Sequence, residues 1–293
     1  MVRGLDHIVH AVRDLDAAAG LYRRLGFMVG ARNSHPRGWG TQNHIVQLPG
    51  VFIELLAVAD ANAIAPHSPR HFSFGAFNHN FLMREQGLSM LVLSGRGAPD
   101  VDEFRKEGIG DFELYDFERE GKRPDGTPVK VAFSLAFASD PRAPDIGFFT
   151  CQQHHPENFW NPAFQKHANS VEGVAGVVVA ADRPQQHRKF LETFVGASAA
   201  AHDEGFAIAT PHGAIEVVTP AAFLQRFGVT APSVVGGARL AALRLAVAHP
   251  SRLQAAPELA GLAGLYARNA AVIGSEDAMG AILAFEPAAP KAR

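Results

Sequence analysis

Read with a period of two, the opening stretch LDHIVHAV puts Leu5, His7, Val9 and Ala11 on one face and Asp6, Ile8, His10 and Val12 on the other. It predicts a strand with neither face purely apolar. The period then changes: in RDLDAAAGLYRRLGF, Ala18, Leu21, Tyr22 and Leu25 recur at helical spacing, with Asp14 as N-cap and Gly26 as stop. After FMVGAR, two apolar runs meet at Pro49-Gly50 inside HIVQLPGVFIELLAV and read as a hairpin. The order is strand, helix, then three strands.

The order returns in VEGVAGVVVAADRPQQHRKFLETFVGASA, with a helix started by Pro184 and stopped by Gly196, followed by the hairpin FAIATPHGAIEVVTP. Superposing the two copies sets Glu54 on Glu216 and His7 on Gly176. The glutamate recurs and the histidine does not. Two weaker copies run from GLSMLVL to DIGFFTCQQ and from ARLAALRLAVAH, through a helical SRLQAAPELAGL, to GAILAFEP. Four units in pairs give two halves, 1–160 and 171–293, with polar NPAFQKHANSVEG at the boundary. The polar and aromatic insert over 59–85 reads either as a lid or binding loop or as disorder.

Composition narrows the classes. A chain of 293 residues, 47% hydrophobic, builds a sizeable core. A formal charge of -2 with mixed signs leaves no footprint for nucleic acid or an acidic membrane, so small, near-neutral partners are expected. The single cysteine, Cys151, excludes an intramolecular disulfide framework, fits a cytoplasmic location and reads as a small buried residue rather than a nucleophile. The N-terminus lacks a secretory pattern, and no apolar run reaches membrane-spanning length. His67, His71 and His79 are too irregularly spaced for a zinc site, and no Walker loop, dinucleotide fingerprint or nucleophile elbow occurs.

Glu54 lies in the apolar run VFIELLAV, where an ionised carboxylate needs a partner or a cation. Glu216 reads as a relic of the repeat or as a hydrogen bonder in a second pocket. HPRGWGTQNH gathers His35, Trp39, Thr41, Asn43 and His44 before an apolar strand, a mixture that suits a small-molecule pocket or a surface hairpin whose tryptophan packs inward. His7 reads as a packed, hydrogen-bonded residue or as a metal ligand.

The chain resembles the vicinal oxygen chelate superfamily, and within it the glyoxalase-like group. The resemblance is carried by LDHIVHAVRDLDAAAGLYRRLGF, HPRGWGTQNHIVQLPGVFIELLAV, REQGLSMLVL and FFTCQQHHPENFWNP then HANSVEGV. It implies an α+β fold of tandem βαβββ modules, paired into cupped mixed sheets, with the site inside a cup. It also implies a divalent metal, iron, manganese, nickel or zinc, held from the first and last strands of two units. His7 and Glu54 match in unit one. Unit two departs from the pattern, with Ser89 or Met90 on its first strand, and His154 is the expected third ligand from TCQQHHP. The expected catalytic residues are Glu54 and His44, with Trp39, Asn43 and Gln152 against the substrate. The implied activity is that of a metal-dependent lyase or isomerase acting on a small compound with adjacent oxygens. Two alternatives stay open: a ferrous ring-cleaving dioxygenase, and a metal-free protein that sequesters a small molecule. A homodimer is a further implication of the resemblance.

Overall fold

The computed structural model describes residues 1–122, 126–249, 265–267 and 270–288. The first unit comprises β1 (Leu5–Ala11), α1 (Leu15–Arg24), β2 (Asn33–Ser34), β3 (Thr41–Leu48) and β4 (Val51–Val58). Helix α1 starts where the Asp14 carboxylate accepts the Ala17 N–H, and the chain turns away at Gly26 in the left-handed region. The insert is ordered and carries α2 (Phe74–Arg84), capped by Ser73. Unit two follows as β5 (Gly87–Ser94), α3 (Ala98–Lys106), β6 (Tyr115–Lys122), β7 (Pro128–Ala138) and β8 (Gly147–Gln153). These eight strands form one mixed sheet, ordered β2-β3-β4-β1-β5-β8-β7-β6.

After the short α4 (Pro156–Phe159), the pattern repeats as β9 (Val171–Ala180), α5 (Arg188–Val195), β10 (Ala200–His202), β11 (Gly205–Thr210) and β12 (Gly213–Val218). Then come α6 (Pro220–Phe227), β13 (Arg239–Val247), β14 (Leu265–Ala267), β15 (Ala270–Ile273) and β16 (Ile282–Pro287). The second sheet has the matching order β10-β11-β12-β9-β13-β16-β15-β14. The expected fourth-unit helix, SRLQAAPELAGL, lies outside the described residues. Among the described residues no helix is long and apolar enough to cross a membrane.

One apolar cluster joins α1 and α5 to the facing surfaces of both sheets, with Ile8, Leu21, Phe104 and Phe148 meeting Val177, Phe194 and Leu243. The opposite face of each sheet carries its own cluster and forms a cup. The insert covers the first cup: Phe72 stacks on Phe137 at 4.4 Å, and Phe74 stacks on Trp39 at 4.3 Å. In the second cup, α6 brings Phe223 and Phe227 against Val178 and Ala242.

The alternation holds from His7 to Val9 and breaks just before. Leu5 pairs with Leu93 and His7 with Val92, so Asp6 is an extra residue bulged out of the ladder. Leu5 therefore lies in the shared core, on the opposite side of the sheet from His7, which corrects the one-face reading of Leu5, His7 and Val9.

Candidate functional site

The first cup holds a cleft with about 470 Å³ of non-protein space, part of it open to solvent. Strand β4 places Glu54 at its floor, only 4% exposed. The Asn43 amide donates to Glu54 Oε1 at 2.6 Å, and His35 Nε2 stands 3.1 Å from the same oxygen. The Thr41 hydroxyl lies 2.9 Å from His35 Nδ1. The consistent assignment has Thr41 donating to Nδ1 and the Nε2 hydrogen of His35 pointing at the carboxylate. Burial by itself would raise the Glu54 carboxyl. The His35 hydrogen bond, the electrostatic pull of the His35 and His7 rings and the Asn43 bond outweigh it, so the group is held below its ordinary value. Glu54 is an ionised carboxylate in an apolar cup.

His7 approaches from β1. Its ring stacks on Phe52 at 4.2 Å and meets the edge of Phe149 at 5.5 Å. The bulge lets Asp6 reach the same side, where its Oδ1 lies 2.6 Å from His7 Nδ1 and its Oδ2 accepts from Gln153 Nε2 at 2.9 Å. With Nδ1–H committed to Asp6, His7 turns a bare Nε2 toward Glu54 Oε2, 3.7 Å away. Glu54 Oε2 accepts no hydrogen bond from the described residues. A carboxylate oxygen and an imidazole nitrogen thus stand side by side on the wall of the cleft.

Aromatic rings wall the cleft: Trp39, Phe52, Phe74, Phe117, Phe133, Phe149 and Phe159, with Arg119 among them. Cys151 also lines it. Burial, with the charges of Asp6 and Glu54 adding, pushes its thiol well above the ordinary value, so it stays neutral.

The residues singled out from the sequence divide between this cleft and other places. His7, Glu54, Trp39 and Asn43 line it together. His44 does not: Asn43 and Ile45 face the cleft, so His44 points to the other side of β3, where Nδ1–H donates to the Gly30 carbonyl at 2.8 Å. Gln152 and His154 also lie outside. On β8 the cup-facing series is Phe149, Cys151 and Gln153, and a strand that turns these inward turns Gln152 and His154 outward. There His154 Nε2 meets the Ser134 hydroxyl at 2.7 Å. Asp6 and Arg119 escape the sequence reading, and Gln153, one of the donors that TCQQHHP offers, is passed over there for His154. The alternation of Tyr115, Phe117 and Arg119 signals the arginine, whereas Asp6 depends on a bulge without a local signature.

The residues do not fit the metal that the resemblance implies. Val9 pairs with Met90 and His7 with Val92, so exchanging β1 and β5 maps His7 onto Met90. Glu54 stands beside Val9 and Phe149 beside Val92, so the same exchange maps Glu54 onto Phe149. Unit two thus supplies a thioether and a phenyl ring where a hard divalent ion needs nitrogen or oxygen donors. Among the described residues no three His, Cys, Asp or Glu side chains are arranged to hold a metal ion.

The second cup shows the expected register, with Glu216 beside Val178 and Ala214 beside Gly176. A Cβ at Gly176 would stand 3.2 Å from Arg244 Nη1, so the guanidinium takes the space that corresponds to the His7 side chain. Arg244 bonds Glu216 and Glu286, and Arg226 closes on Glu216 from α6. Glu216 is a hydrogen bonder in the second cup.

The family model for the glyoxalase-like domain matches residues 5–195. Among solved structures, a hypothetical protein from Staphylococcus aureus is similar at 15% identity and a TM-score of 0.68, covering 98% of this chain and 100% of that one. A mutant of 4-hydroxymandelate synthase from Streptomyces coelicolor is similar at 11% identity and a TM-score of 0.55, covering 97% and 92%. A search of curated proteins finds no match. With the family model spanning well over half of the chain and the paired βαβββ units repeated in the same order, the protein belongs to the glyoxalase-like domain family of the vicinal oxygen chelate superfamily.

Proposed function

We propose that the first cup is the active site of a glyoxalase-like isomerase or lyase, in which Glu54 removes a proton from a carbon next to a carbonyl. The observation that carries this reading is the buried, ionised Glu54, with one oxygen fixed by Asn43 and His35 and the other open toward the cleft. Such a group is positioned as a general base before substrate arrives. The electron pair of the broken C–H bond passes into the adjacent carbonyl and gives an enolate. The proton taken by Glu54 Oε2 crosses to His7 Nε2, and Asp6 stabilises the resulting imidazolium. His7 then returns that proton to the neighbouring atom of the substrate. Aromatic walls keep water from quenching the intermediate.

The test is deuterium exchange from D2O into a panel of small 2-oxo and 2-hydroxy carbonyl compounds, followed by proton NMR. Wild-type protein is expected to label at least one of them. Glu54→Gln, which keeps the Asn43 contact but has no basic oxygen, should slow labelling by at least about a hundredfold. Failure of every compound to exchange, or equal labelling by the variant, overturns the reading and favours sequestration without chemistry. The misfit with the implied metal is tested separately, since His7 Nε2 and Glu54 Oε2 are the two donors that unit one offers. Elemental analysis of protein purified without chelator decides it: about one equivalent of iron, manganese, nickel or zinc, lost in both His7→Ala and Glu54→Ala, would establish the metal.

A further inference from the structure

Resting on the assignment of the first cup as the reacting site, we propose that its substrate is a flat carboxylate anion about the size of one aromatic ring, anchored by Arg119. Strand β6 pairs with β7 so that Arg119 lies opposite Val131 and Phe117 opposite Phe133. Phe117, Phe133 and Arg119 line the cleft, and the acidic neighbours of Arg119, Glu118 and Glu120, fall on the alternate face. Arg119 is half-buried and has no hydrogen bond or ion pair with the described residues. Burial works against its positive charge, and only the more distant charge of Glu54 favours it.

The more deeply buried arginines behave differently. Arg3 pairs with Asp100 and Glu103, Arg239 with Glu85 and Asp145, and Arg244 with Glu216 and Glu286. A desolvated guanidinium without a partner is costly, and a bound carboxylate removes that cost through two parallel charge-assisted hydrogen bonds. Glu54 repels the same anion. The ligand is therefore oriented with its carboxylate at Arg119 and its reacting carbon toward Glu54.

The walls specify the rest of the molecule. Trp39 lies on Phe74 at an interplanar angle of 23°, His7 on Phe52 at 14° and Phe117 on Phe133 at 27°, so the cleft lining is built from paired aromatic rings. Such surfaces bury a planar ligand far better than a branched aliphatic one.

Isothermal titration calorimetry of the full chain with benzoate, benzamide and acetate tests the assignment. Benzoate should bind with one-to-one stoichiometry, benzamide at least about tenfold more weakly, and acetate without measurable heat, because the charge and the ring each contribute. Arg119→Met should abolish the preference for benzoate over benzamide, and Arg119→Lys should restore part of it. Glu54→Gln should bind benzoate as tightly as wild type or more tightly, since a repelling charge has gone. Equal affinity for acid and amide, an unchanged preference in Arg119→Met, or no benzoate binding would overturn the proposal. The ligand series in wild-type protein decides the matter even if a variant folds poorly. A Glu54→Gln protein that still exchanges deuterium defeats the proposed chemistry and leaves the anion site standing.

Discussion

At 2.6 Å, the Asp6 carboxylate fixes which nitrogen of His7 carries the hydrogen, and Gln153 fixes Asp6 in turn. The chain Gln153–Asp6–His7–Glu54 runs from the last strand of unit two to the last strand of unit one. Unit two therefore reaches the site through an amide that positions a base, two residues along β8 from Cys151. Asp6→Asn separates this role from packing. The variant is almost isosteric, but its amide cannot stabilise an imidazolium, and its NH2 can donate to Nδ1 and reverse the tautomer of His7. Deuterium exchange should fall by at least about a hundredfold with little change in melting temperature, by analogy with other Asp-to-Asn changes behind a histidine. The same change should move the pH profile of exchange and the nitrogen shifts of the His7 ring. Wild-type exchange with wild-type ring shifts would show that Asp6 only packs.

Helix α2 and the turn at Arg37–Trp39 form the roof of the cup, and they meet at Gly75. A Cβ there would overlap the carbonyl oxygen of Trp39 and leave no room for the ring to remain on Phe74. Gly75→Ala should cost about 3 kcal/mol by overpacking, seen as a lower urea midpoint, and should weaken benzoate binding because Trp39 is displaced. Unchanged stability would mean that the roof shifts freely. The roof also shows where local pattern stops informing. The aromatic spacing of the insert does not separate a lid from a disordered loop, because its order depends on partners such as Phe137 and Trp39 from distant elements. By contrast, α1, the Pro49-Gly50 hairpin and the register that sets Glu216 on Glu54 were legible, since each depends on caps, turns or alternation within a few residues. His44, Gln152 and His154 were misplaced because polar residue type says nothing about strand face, and a shift of one residue reverses the face. Asp6 was invisible because a bulge is a property of the paired strands rather than of either sequence.

Across the whole molecule the two sheets are tied by polar contacts as well as by the shared core. Arg3 reaches the Phe194 carbonyl, Asp140 meets His187 at 2.6 Å, and His10 joins β1 to the far end of the second half. His10 is fully buried, with Nδ1 3.0 Å from the Tyr22 hydroxyl and Nε2 3.1 Å from the Met279 carbonyl. The neutral ring satisfies both contacts when Nε2–H donates to Met279 and Nδ1 accepts from Tyr22. A second proton would sit on Nδ1, remove that acceptor and place a charge in the core. Burial accordingly lowers the histidine from 6.5 to about 4, against a smaller opposing effect of the Met279 carbonyl. Between those values the unfolded chain binds more protons than the folded one, so stability must fall as the pH falls from 6.5 toward 4. The full gap is worth roughly 3 kcal/mol, and His167, also lowered by burial, acts in the same direction. The carboxylates held below their ordinary values, Glu54, Asp100 and Asp140, add to the decline at its acid end, because their contributions are complete only above the unfolded values of 4.5 and 3.8 and are lost as the pH falls below these toward the native values. Urea unfolding from pH 7 to pH 4 should therefore show a progressive decline in wild type. His10→Gln, which keeps a donor for Met279 and an acceptor for Tyr22 but cannot titrate, should begin less stable at pH 7 and decline with a shallower slope. Parallel curves for the two proteins would mean that the acid sensitivity of the assembled halves arises elsewhere.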